Sequence, residues 1–177
     1  MNRAEIEIKL NRDRASLLEA IGALPDNVVG KGVTPSQHNN TVLWSAKDHL
    51  VHLAGIEHLF NGIIKRTIEG DPSPIQLPKE PDGKLLPVEQ MMPHVHAMND
   101  AWVEKHKDEG FLEIVALSQK IRSETLDLLS SLSDEQLQQK IPNAPWGDGA
   151  IGTVIAINAD HGRRHQDQVL KALAAEA

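Results

Sequence analysis

Apolar residues along the chain recur mostly at three- and four-residue steps, the period of helices that bury one face. Within residues 3–24, Ile6, Ile8, Leu10, Ala15, Leu17, Leu18 and Ile21 carry such a face, and Pro25 closes the segment. Residues 26–41 are rich in Gly, Asn, Ser and Pro and predict an irregular connection rather than a strand pair. A second helix is expected to open near Trp44 and Ser45, with Ser45 as N-cap and Asp48 three residues on, and to run to Glu69. Pro72, Pro74, Pro78, Pro81 and Pro87 then break regular structure, over a length unusual in a compact domain unless the loop covers something.

Helical character returns at Val88 and is expected to bend near Pro93, continuing to Lys107 before Gly110 interrupts it. Phe111, Ile114, Val115, Leu117, Ile121, Leu126, Leu128, Leu129 and Leu132 form the face of a third core helix, and Ser133 opens a further short turn. After the tight loop NAPWGDGAIG, a fourth core helix follows from the stripe Ile151, Val154, Ile155, Asn158, His161, His165, Val169 and Leu173. The pattern predicts an all-α fold, a four-helix bundle with one long crossover loop, in a single domain over residues 1–177. Cofactor sites in such bundles lie between facing helices.

Composition narrows the reading. Aromatic residues make up 3% of the chain and tyrosine is absent, which favours aliphatic helix packing over strands. The formal charge is −7 with Lys and Arg scattered, so no nucleic-acid partner is expected. Without cysteine there is no thiolate ligand or thiol nucleophile, and any thiol chemistry needs an external thiol. The charged N-terminus, MNRAEIEIKLNRDR, resembles neither a secretory signal nor an anchor, and no apolar run approaches the roughly 18 residues of a spanning helix. A cytoplasmic protein without membrane contact is the expectation.

The candidate chemistry lies in histidines. His161 and His165 stand four residues apart, so both imidazoles leave one helical face within reach of one metal ion. They continue the inward stripe, where two unpartnered imidazoles would cost up to several kcal/mol. The second helix offers His49, His52 and His58; His52 flanks the apolar face and His49 is phased inward too, so periodicity alone leaves the third ligand open. Asn158, one turn before His161, is the favoured supporting residue, ahead of Glu57, Asp160, Gln168 and Asn99. Arg163 and Arg164 are expected on the outward face, and His94, His96 and His106 carry no assigned role.

WSAKDHLVHLAGIE at 44–57 and IAINADHGRRHQDQV at 155–169 resemble the DinB/YfiT-like family in order and placement. NDAWVEKHKD from Asn99 and LLSSLSDEQL from Leu128 are similar to the same family, less specifically. The resemblance implies a metal site of His52, His161 and His165 and a homodimer built through helix faces. Three imidazoles leave positions for water or substrate, as in catalytic rather than closed sites, and the cofactor expected is a divalent transition metal: Zn, Ni, Fe or Mn. Relatives with assigned activities include thiol-dependent S-transferases and a maleylpyruvate isomerase. The resemblance therefore implies a divalent-metal-dependent enzyme acting on a small molecule, as a thiol-dependent S-transferase, hydrolase or isomerase, with a low-molecular-weight thiol as partner. The alternative is a non-catalytic metal-binding or stress-related protein.

Overall fold

The computed structural model describes residues 1–36 and 38–175. Gln37, inside the expected loop at 26–41, and residues 176 and 177 of the expected domain lie outside the described residues. The element order is α1 (Arg3–Gly22), α2 (Asp26–Val29), β1 (Thr34–Pro35), β2 (Leu43–Trp44), α3 (Ala46–Ile68), α4 (Val88–Lys105), α5 (Phe111–Ser131), α6 (Asp134–Gln138) and α7 (Ile151–Ala175). The fold is all-α, as the helical spacing predicts.

The helices start where side chains can take the orphan N–H groups of a first turn. Asn2 and Glu5 close a reciprocal cap on α1, and Ser45 with Asp48 does the same on α3. Ser133 and Gln136 repeat the arrangement on α6. The Gly110 N–H donates to the Glu113 carboxylate at 2.6 Å at the start of α5. Helix α4 runs through Pro93 as one element, with Pro87 as its N-cap.

The long helices close a ring: α1 packs on α7, α7 on α3, α3 on α5, and α5 back on α1. Helix α4, inside the long crossover, lies on the outer side of α3. Gly55 permits that close approach, since a Cβ there would stand 2.6 Å from the Trp102 ring. Trp102 donates its Nε1–H to the Val51 carbonyl at 3.0 Å, tying α4 to α3.

Two apolar clusters fill the bundle, one around Ile6, Phe60, Leu129 and Ile155 and the other around Leu17, Leu50, Ile114 and Val169. A polar layer lies between them. The buried Glu57 carboxylate accepts from Arg14 at 2.6 Å and from Arg122 at 2.7 and 3.1 Å. Arg122 also donates to the Leu10 carbonyl at 2.7 Å, and Arg14 to Ser118. Burial pushes the Arg14 guanidinium down to about 10, against the pull of Glu57.

The connection at 26–41 departs from expectation. It holds the single turn α2 and the strand β1, which pairs antiparallel with β2 (Thr34 opposite Trp44). Two-residue strands are too short to print an alternating pattern, so the sequence reads only as loop.

Candidate metal centre

Helix α3 and helix α7 bring His52, His161 and His165 together, one ligand nitrogen from each lying within 4.8 Å of the others. The His161 Nε2 is 3.4 Å from that of His52 and 2.9 Å from that of His165. Nitrogens about 2.0–2.1 Å from a tetrahedral ion stand roughly 3.3 Å apart, so these spacings suit one small divalent cation. The His52 Nδ1 is buried and has no hydrogen-bond partner.

Burial in apolar surroundings disfavours the imidazolium form, and neighbouring positive charge adds to it. His49 and His161 are pushed down to about 3 and His165 to about 4, with Arg164 contributing at His161 and His165. His52 is held well below its ordinary value, first by burial and then by the other histidines. Neutral imidazole is the form that ligates a metal, so the donor set fits.

His49 stands behind the trio. Its Nδ1 is 2.6 Å from the His165 Nδ1, and its Nε2 is 2.5 Å from the Thr34 hydroxyl. That hydroxyl reaches the Trp44 carbonyl at 3.4 Å. One proton arrangement satisfies the whole chain: His165 Nδ1–H donates to His49, His49 Nε2–H donates to Thr34, and Thr34 donates to Trp44. It leaves the His165 Nε2 lone pair facing the trio. The Trp44 ring packs against two histidines of α3, 5.5 Å from His49 and 5.1 Å from His52 between centroids.

Of the supporting residues read from the sequence, only Asn99 lines a cavity with His52 and His161. Glu57 points into the polar layer, and Asp160 pairs with Lys9 and Arg163 at 2.6 and 3.0 Å. Asn158 is buried beside Asp13, Arg14 and Arg122, its Nδ2 without a partner, and Gln168 is exposed. Arg163 is outward as expected, whereas Arg164 lines a cavity next to His161.

That cavity, about 350 Å³, opens from His52 and His161 between α3, α4 and α7. Apolar side chains line most of it, among them Ile56, Phe60, Met91, Val95 and Ile157, with His96, Asn99 and Arg164 as polar exceptions. The turn before α7 brings Trp146 to its wall, held against Phe60 at 4.8 Å between ring centroids. Gly149, at φ +76°, lets the turn close so that Ile141 N–H donates to the Gly149 carbonyl at 2.9 Å. Thr34, Arg164 and Trp146 carried no signal in the sequence, and His96 and Asn99 only weak ones.

The profile of the DinB superfamily matches residues 9–169. No curated protein matches the chain. An uncharacterised protein from Escherichia coli UTI89 shares the fold at a TM-score of 0.66 and 15% identity, the match covering 99% of this chain and 94% of that one. The colibactin self-resistance protein ClbS, solved in complex with a dsDNA, matches at a TM-score of 0.73 and 14% identity, over 97% of this chain and 95% of its own. This corrects the expectation that nucleic acid is excluded. Net charge sums over a whole surface, whereas phosphate contacts need only a local set of donors, so a charge of −7 does not remove duplex DNA as a partner for this fold. Among the described residues no helix is long and apolar enough to cross a membrane. With the profile spanning nearly its whole length, the chain belongs to the DinB superfamily.

Proposed function

We propose that the protein is a divalent-metal-dependent enzyme that acts on a small molecule, with His52, His161 and His165 as ligands. The observation that carries this reading is the convergence of three neutral imidazoles, two of which, His52 and His161, line an apolar cavity of ligand size. A closed structural site would take a fourth protein ligand, and none of His, Cys, Asp or Glu joins the trio among the described residues.

When bound, a divalent ion supplies a Lewis acid that generates hydroxide or thiolate at neutral pH. The remaining work belongs to the chain. His49 and Thr34 hold the His165 tautomer, and the Trp44 ring restricts the rotation of His52. The apolar walls exclude water from the histidines and hold the body of the substrate. With no cysteine in the chain, a thiol-dependent transfer would use a low-molecular-weight thiol as cosubstrate.

The test is a screen of protein reconstituted with Zn, Ni, Fe or Mn against small electrophiles, with and without a thiol, and against esters. Turnover that His161→Ala abolishes supports the proposal. Stoichiometric metal without turnover in any arm replaces it with the non-catalytic metal-binding reading. Because ClbS was solved with a dsDNA, the screen includes a duplex DNA arm, and saturable DNA binding without small-molecule turnover would overturn the small-molecule assignment.

A further inference from the structure

The cavity beside the histidines has a composition more specific than its size. Among the described residues that line it, none is Asp or Glu, although acidic residues outnumber basic ones in the chain by 25 to 18. Arg164 is the one lining residue with a fixed charge. It makes no ion pair among the described residues; Asp160, one turn before it, is engaged by Lys9 and Arg163. Arg164 lines the cavity beside His161, three residues earlier on the same helix, and so lies at the histidine end. The opposite walls are aliphatic and aromatic, with Met91 and Met92 supplying adaptable surface.

An unpaired guanidinium at one end of an apolar, acid-free cavity is complementary to a hydrocarbon body ending in an anion, and a carboxylate meets it with two parallel N–H···O bonds. At about 30 Å³ for each water-sized group, the volume holds about twelve non-hydrogen atoms. We propose that the cavity binds an apolar monocarboxylic acid of about this size, with its carboxylate at Arg164 and its hydrocarbon between Phe60, Met91, Val95 and Trp146. The inference rests on the proposed function in one respect, that this cavity is where the substrate meets the histidines.

Decanoate, which has the right size, is the probe. It is titrated calorimetrically into the full-length protein as purified and again after chelation of any metal. Saturable binding at one site is expected in both forms. Octanoate binds about fifteen-fold more weakly, since each buried methylene is worth about four-fold. Decanamide, the neutral twin, binds about ten-fold or more weakly than decanoate. Arg164→Gln weakens decanoate by a similar factor and leaves decanamide unchanged, while Arg164→Lys restores part of the loss. Arg164 is exposed, so these variants keep the fold. Equal binding of acid and amide, or indifference of decanoate to Arg164→Gln, overturns the carboxylate assignment. No binding of either probe at millimolar concentration overturns the cavity as an apolar acid site. Binding to the chelated protein reads the cavity alone, so its failure is distinct from a failure to hold metal.

Discussion

Replacing His49 with phenylalanine keeps a flat ring of similar size at a position that is 1% exposed, and removes the acceptor 2.6 Å from the His165 Nδ1. His165 then loses the partner that fixes its proton on Nδ1, and the tautomer with Nε2 protonated, which cannot ligate, becomes accessible. Loss of such an orienting partner typically weakens metal binding about 10–100-fold, or about 1.4–2.7 kcal/mol. The assay is competition for zinc against a chromophoric chelator, with circular dichroism to verify folding. His49→Asn, whose carboxamide oxygen can stand near the lost Nδ1, is expected to recover part of the affinity. His58→Ala serves as control, because His58 stacks on Trp102 rather than joining the trio. A folded His49→Phe protein with parental affinity would refute the orienting chain. Loss as complete as in His161→Ala would make His49 a ligand instead.

Three further outcomes follow from the geometry. Glu57→Ala leaves Arg14 and Arg122 buried without their shared carboxylate and is expected to cost about 3–5 kcal/mol, read from urea unfolding; a loss under 1 kcal/mol would contradict the polar layer's role. In the metal-free protein the unfolded histidines take protons near 6.5 while the buried ones resist until about 4 or below, so the unfolded state binds more protons in that window. Stability is therefore full above about pH 6.5 and falls as pH drops toward 4; a urea midpoint that rises on acidification would be the opposite sign. Gly55→Ala forces the Trp102 ring away from α3 and is expected to raise Trp102 exposure to acrylamide quenching, whereas unchanged quenching would show that α4 does not depend on this contact.

The helical parts of the account were legible because each rests on local spacing. The pair His161 and His165 needs only the helical repeat, and the α3 start needs only Ser45 and Asp48. Phase misleads where a helix buries more than one face. Glu57 follows His52 by five residues, about 140° around the axis, so their side chains leave different faces of α3: one meets α7's histidines and the other the arginines of α1 and α5. Adjacent residues diverge similarly, which separates the outward Arg163 from the cavity-lining Arg164. Thr34 reaches His49 only through pairing of two-residue strands, and Trp146 reaches Phe60 only through a turn 86 residues on. Such contacts depend on tertiary placement and leave no periodic trace. The choice of His52 over His49 came from family resemblance, since both are buried on α3.

The central claim is that His52, His161 and His165 hold a divalent ion. Its most direct test is elemental analysis of the protein prepared without a histidine tag, beside His52→Ala and His161→Ala made in the same way. The account predicts close to one transition-metal ion per chain in the parent and none in either variant. A parent that takes up no metal after incubation with Zn, Ni, Fe or Mn would contradict it.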